Sequence, residues 1–336
     1  MKRTAVRFSL LAVFFACFYV IWPGQVAAAP VFESLGRLMP PGLRAPGMID
    51  LDDAGNLYAT NCRGGEVFKI DPYGNLTAVF SVSASGAGVA VTPDGTTLYV
   101  ARKGAVVIVD ALTGAERGLL AGSAAPGEPE FQGVGEIALD RFGNVFVIDN
   151  VTRQIKVYSA NGQYITLFGG PGPGAGEFMR MGGLAIDPLG RVIVTDCSSS
   201  TTDNGKTHIF TLNPDLSVAS VVAYSNISAT NFGLPAMVSP RGVTFDNQNR
   251  AYFLEFFRSI IKVTDENYRY FGSSYGTIPV GYAVGELNVV KDLVYDRTNN
   301  RLFVSCDTLR IEVFGVDGGK NPDPPLSNQA PEAVTA

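Results

Sequence analysis

The sequence predicts an all-β chain folded as a six-bladed β-propeller of four-stranded blades, with the ring closed by an N-terminal strand. Three observations predict it. The 336 residues are rich in Gly, Val, Phe and Tyr and poor in Lys and Glu, a composition that suits short strands and tight turns better than helices. One phrase, a short strand, a turn holding Gly or Asn and a second strand, then recurs six times. Its copies start at Met48 (MIDLDDAGNLYATN), Gly88 (GVAVTPDGTTLYVAR), Glu136 (EIALDRFGNVFVID), Gly183 (GLAIDPLGRVIVTD), Gly242 (GVTFDNQNRAYFLE) and Asp292 (DLVYDRTNNRLFVSC). Each is followed by a third strand (VFKIDPYG, VVIVDALTG, IKVYSANG, HIFTLNPD, IIKVTDEN, IEVFGVDG), and the first five by a fourth, such as LTAVF or YITLF. A four-stranded unit of this kind cannot bury both faces alone, so the units must pack radially.

The elements are justified in chain order. Residues 1–28 have the layout of a secretory signal peptide: Lys2, Arg3 and Arg7, then the apolar run FSLLAVFFACFYVIW, then Pro23-Gly24 and the small residues VAAA. The run is short for a membrane span, and cleavage is expected after Ala28; an uncleaved anchor is the rival reading. Cys17 is filler within the run. Export follows, to the periplasm or beyond the cell. Residues 29–320 hold the propeller. The sixth repeat lacks a fourth strand of its own, and Val31–Leu38 (VFESLGRL) has the alternation to supply it, which removes an unpaired edge. From Asn321 to Ala336 the Pro-rich NPDPPLSNQAPEAVTA reads as a disordered tail.

Charge and cysteine content narrow the function classes. The net charge is −5, and loss of residues 1–28 removes three cations and no acid. An acidic average gives no support to nucleic-acid or anionic-membrane binding. Cys62, Cys197 and Cys306 are too few and too widely spaced for a disulfide scaffold or a metal site; they read as small buried residues between blades, with a Cys62–Cys306 disulfide as the alternative.

The phrase GLAIDPLGRVIVTD, preceded by PGPGAGEFMRMG, resembles the NHL repeat, as does Gly143 to Gly170 with its V-I-D, Q-I-K-V-Y and F-G-G. The resemblance, to six-bladed NHL propellers of the secreted bacterial type, covers residues 31 to 318. It implies the fold and leaves the function open, since such propellers include enzymes, ligand binders and interaction platforms. Amidating lyases of this kind need several histidines, and this chain has one, His208, read as structural. Propellers similar to gluconolactonase place Glu, Asn and Asp around a divalent metal at first-strand starts; only Glu136 and Asp292 sit at such positions. Service to a bacterial surface assembly is a further implication, without haem, because no Cys-x-x-Cys-His occurs.

Propeller geometry sorts the connections onto two faces. One carries only short turns such as DDAGN, DRFGN and DPLGR, which read as backbone chemistry of Asp, Asn and Gly. The other carries the long loops 169–182, 198–206, 225–240 and 272–290, where function is expected. Glu136, Asp149, Asp196, Glu255 and Asp292 are expected to converge there on an acidic channel mouth, able to take Ca²⁺ or another hard cation; the resemblance offers loop-backbone capping as the alternative for the three second-strand acids. Arg102 lies at the same level. Phe178, Phe232 and Tyr275, with Phe256, Phe257 and Tyr282, fit a protein interface, against packing beneath the loops. No catalytic set is present. The reading is a non-catalytic platform for a protein or extended ligand, with a metal-dependent hydrolase or lactonase as the alternative.

Overall fold

A computed structural model of the chain describes residues 29–84, 86–120, 130–197, 205–225, 237–273, 278–307 and 309–323. Residues 1–28 and 324–336, and with them the signal-peptide reading and most of the tail, lie outside the described residues, as do Phe232 and Tyr275.

The described strands form six four-stranded antiparallel sheets, five of them built from consecutive strands. In the sixth, Phe32–Leu38 pairs with Arg310–Val316, from Phe32 opposite Val316 to Leu38 opposite Ile311. The closing strand is therefore supplied from the N-terminal side, as the alternation of VFESLGRL requires. Val31 and Asp317 clasp the junction: each backbone N–H donates to the other residue, to the Asp317 carboxylate at 2.9 Å and to the Val31 carbonyl at 2.9 Å. The start of the tail is also held, with Asn321 Nδ2 donating to the Leu35 carbonyl at 2.9 Å.

Burial sits between blades. Six clusters of buried apolar residues each join two neighbouring blades, among them Tyr58 and Val67 with Leu98 and Val107, and Leu57 and Phe68 with Phe303 and Val313 across the closing seam. This is the radial packing that period-two alternation on every strand demands. Phe131, Phe178 and Leu287, from the blade-linking segments, are buried in these seams.

The tight turns of the short-turn face follow turn chemistry. Asp140 accepts from the N–H groups of Phe142 (2.8 Å) and Asn144 (2.9 Å), and Asp187 accepts from Leu189 and Arg191 in the same way. Gly143 closes its turn at φ +80, a conformation a Cβ disfavours. Every first strand except the short Val89–Val91 shifts register as it enters its sheet, as between Val134 and Ile137.

Candidate functional site

Only the first strand of each blade lines the axis. The central cavity, of about 330 Å³, is walled by Ile49–Leu51, Val89, Val91, Glu136–Leu139, Leu184–Ile186, Val243–Phe245 and Asp292–Tyr295. It runs on past Pro93, Asp140, Arg141 and Arg297, which are turn residues, so it reaches the short-turn face.

Glu136 and Asp292 do face this channel. Each accepts a hydrogen bond from the first strand of the next blade: Glu136 from Leu184 N–H at 3.0 Å, Asp292 from Ile49 N–H at 2.9 Å. Asp50, a third channel acid, accepts from Val91 N–H at 2.8 Å and Leu51 N–H at 2.9 Å. All three stitch neighbouring inner strands together. Sequence reasoning missed Asp50. The signal was present, because Ala90, Ala138, Ala185, Thr244 and Val294 hold the equivalent position in the other repeats.

Their electrostatics follow from enclosure. Burial pushes the Asp50 carboxyl up to about 7 against the pull of its two backbone hydrogen bonds. Burial raises Asp292 as well, and Glu136 is raised well above its ordinary value by burial and then by the neighbouring Asp292, with Arg241 drawing it partly back. Desolvation and like charge both favour the neutral acid. All three channel acids are therefore held toward their neutral forms. Among the described residues, no three His, Cys, Asp or Glu side chains are placed to hold a metal ion together, and the channel carboxylates already spend oxygens on backbone N–H groups. The donor set does not fit a metal centre.

Asp149, Asp196 and Glu255 do not join this group. The second strand lies one layer off the axis, and each acid turns to the segment entering its own blade. Asp149 accepts from Gln132 and Gly133 N–H (2.9 and 3.1 Å), Asp196 from Met179 and Arg180 (3.0 and 2.7 Å), and Glu255 from Val238 and Ser239 (2.7 and 3.2 Å). The expected acidic mouth on the loop-rich face is thus absent among the described residues, and these three carboxylates act as backbone caps.

One position on the third strand completes the arrangement. Lys156, His208, Lys262 and Glu312 stand opposite Val147, Val194, Phe253 and Val304, the same place in blades three to six. Lys156 Nζ donates to Asp149 at 2.7 Å and also to the Glu130 carbonyl. Burial raises the Asp149 carboxyl, but Lys156 and the linker N–H groups outweigh it and hold the group below its ordinary value. Burial pulls the Lys262 ammonium down to about 8 although Glu255 supports its charge. His208 Nδ1 accepts from Gly176 N–H at 3.1 Å, and burial lowers its pKa to about 4. The single histidine is structural and neutral.

The remaining candidates separate clearly. Arg102 pairs with Glu116 within its blade at 3.0 Å. Phe178 is fully buried against His208 and Phe210, so it presents no surface to a ligand. Phe257 (59% exposed) and Tyr282 (63% exposed) do. Tyr282 rides on the 280–287 segment, which Arg310 grips through the Gly281 and Glu286 carbonyls (2.9 and 3.1 Å) and Arg37 through the Tyr282 carbonyl (3.1 Å). Cys62, Cys197 and Cys306 are free thiols, the last two buried and Cys62 exposed. A larger groove of about 820 Å³ lies between the third and fourth blades on the short-turn face, walled by Phe142, Ile165, Leu189 and Leu212, and its lining includes none of Asp50, Glu136 and Asp292.

Comparison with known proteins adds to this geometry. A sequence model of the family DUF5128, described as a 6-bladed beta-propeller, matches residues 127–201. No curated protein sequence matches the chain. Among solved structures it is similar to a protein of unknown function from Bacteroides thetaiotaomicron (14% identity, TM-score 0.63, 86% of this chain and 76% of that one). It is also similar to a gluconolactonase from Xanthomonas campestris (13%, 0.60, 85% and 89%) and to a protein provisionally described as a gluconolactonase (14%, 0.60, 88% and 94%). The likeness is one of fold.

Proposed function

We propose that the protein is an exported, non-catalytic propeller of the NHL type, a platform that binds a protein or extended ligand through its loop-rich face, in the service of a bacterial surface assembly. The observation that carries this reading is the pairing of exposed apolar side chains with rigid support on that face. Tyr282 stands exposed on a segment fixed by two arginines and by Glu312, whose carboxylate accepts from Gly285 N–H at 3.0 Å. A pre-ordered aromatic costs little entropy on binding and is the kind of anchor that concentrates interface energy. The test is cross-linking mass spectrometry on the protein in its native host. One abundant partner linked through 171–182 or 278–290 is the expected result; links confined to the short turns overturn it.

A second reading, a hydrolase or lactonase at the channel, draws on the likeness to gluconolactonase structures and on the buried channel acids Asp50, Glu136 and Asp292, each raised by desolvation. Lactone or ester hydrolysis by the purified protein, lost with Glu136→Gln, favours it over the platform.

A further inference from the structure

The fold separates charge that the sequence average hides. The turn aspartates, one or more to each blade (Asp52, Asp94, Asp140, Asp187, Asp246 and Asp296), lie at the end of the first strand or between first and second strands and so fall on one face, where Asp187, Asp246 and Asp296 pair with Arg191, Arg250 and Arg301. The opposite, loop-rich end of the strands carries Arg63, Lys103, Arg153, Lys206, Arg258 and Lys291, one in each blade, with Arg44 and Arg180 in the connecting segments. None of these is fully buried. Arg44, Arg63, Lys103 and Arg180 are exposed, with no ion pair among the described residues.

The solvent-facing acids of that face are fewer among the described residues: Glu66, Glu130, Glu177, Glu286 and Asp307. Glu66 accepts from Asn61 Nδ2 at 2.9 Å, Glu177 from Gly174 N–H at 2.9 Å and Glu286 from Ala283 N–H at 2.8 Å, while Asp307 pairs with Lys291 at 3.4 Å. Between the cations stand exposed apolar side chains: Val151, Met179, Phe257 and Leu309 singly, and Val280, Tyr282 and Val284 together on one segment. The chain is acidic on average, and among the described residues its loop-rich face is the more basic of the two.

We propose that the loop-rich face docks on an anionic lipid bilayer, with arginines and lysines around the rim meeting headgroup phosphates and Tyr282 and Phe257 entering the interfacial layer. This rests on the platform reading and names its ligand. Charge complementarity selects an anionic partner, since juxtamembrane cations gain from an anionic leaflet and aromatic rings settle at the headgroup level. The layout selects a bilayer over an acidic protein. Cations recur in all six blades around the ring, which matches a laterally uniform surface, and the exposed run Val280, Tyr282 and Val284 offers it one narrow apolar wedge, whereas a protein interface sets a broad apolar core inside its polar rim.

Vesicle co-sedimentation tests this with the full chain, so that any contribution of the apolar residues 8–22 is common to every variant. Phosphatidylcholine vesicles containing phosphatidylglycerol are expected to bind the protein, and added salt to release it. The triple variant Arg44→Gln, Arg63→Gln, Lys103→Gln is expected to bind roughly a hundredfold more weakly, about fivefold for each charge removed near the surface. Tyr282→Ser with Phe257→Ser weakens binding at every salt concentration, and Leu112→Ser with Leu189→Ser, on the other face, leaves it unchanged. Binding that ignores the triple variant overturns the inference. Capture of poly-glutamate by a parent protein that leaves the vesicles alone overturns it in favour of an acidic protein. If vesicles fail while Tyr282→Ser abolishes cross-linking to a protein partner, the bilayer falls and the platform stands; if neither responds, both fall.

Discussion

The segments 171–178 (PGPGAGEF) and 280–287 (VGYAVGEL) enter the fourth and sixth blades with one backbone frame and two different surfaces. Each closes a parallel bridge, Pro171 to Phe178 and Val280 to Leu287. In each, a glutamate caps the loop from within, and a glycine near φ +80 (Gly176 at +79, Gly285 at +81) donates its N–H to the third strand. Each buries one large apolar residue, Phe178 or Leu287. The acceptor on the third strand is His208 in one and Glu312 in the other. The outward positions are Pro171, Pro173 and Ala175 against Val280, Tyr282 and Val284. The comparison teaches that Gly-Glu followed by an apolar residue specifies the frame, while any buried acceptor can serve as its anchor and the outward residues are left free for binding.

The largest expected effect breaks the anchor of the second segment. Glu312 is fully buried between Arg310 and Arg37, the latter at 2.9 Å. Glu312→Ala leaves the buried Arg310 without its counter-charge and Gly285 N–H without an acceptor. A loss of about 3–5 kcal/mol is expected from breaking one side of a buried pair, read as a drop in the urea midpoint with an unchanged slope. Glu312→Gln, which keeps an acceptor, should lose less; equal losses would mean that the ion pair alone matters.

The second effect sharpens the contrast between anchors through pH. The folded pKa of His208 lies near 4, below its ordinary 6.5, because burial disfavours the imidazolium. The stability this contributes is fully present above about 6.5 and is lost as pH falls toward 4, the direction in which the unfolded chain binds the extra proton. Protonation also removes the lone pair that accepts from Gly176. Glu312 shifts the other way: burial raises it, more than Arg37 and Arg310 lower it, so its contribution is present below the ordinary glutamate range and fades as pH rises through the folded value. Amide exchange, corrected for intrinsic rates, should therefore show protection at Gly176 falling on acidification while Gly285 keeps its own. Parallel loss at both amides would mean that the blades open as a unit.

These two segments also show what was legible in the sequence. The propeller was readable because period-two alternation and short turns bearing Asp with Gly or Asn recur in every repeat, and the fourth strand that the sixth repeat lacks was readable from VFESLGRL. Glu136 and Asp292 stood out as acids where other repeats have glycine. Asp50 was hidden because it occupies the third strand position, where the alignment on strand starts did not look. Asp149, Asp196 and Glu255 were placed at the channel because their distance from the axis depends on strand order within the blade, which the repeat does not state. Phe178 and Tyr282 occupy similar loops with opposite fates, one buried and one exposed; their offset from the Gly-Glu pair distinguishes them once the frame is known. The net charge of −5 misled for a further reason: antiparallel blades send every turn aspartate to one face, so an average over the chain describes neither face.

The smallest expected effect is on stability, and it comes from the outward positions. Tyr282 makes its hydrogen bond to Arg37 through the backbone carbonyl and leaves its ring exposed above Arg310, 5.8 Å from the guanidinium. Tyr282→Ser therefore removes a surface ring while keeping the frame, and stability should stay within about 0.5 kcal/mol of the parent. Thermal melting measures this directly. The converse variant, Pro173→Tyr, places the ring on the other segment, where Lys206 Nζ holds the Pro173 carbonyl as Arg37 holds that of Tyr282. If frame and surface are independent, the two variants change what the face binds and leave the melt alone. A large loss with Tyr282→Ser would instead make the ring part of the frame, and its exposure could then no longer be read as a sign of binding.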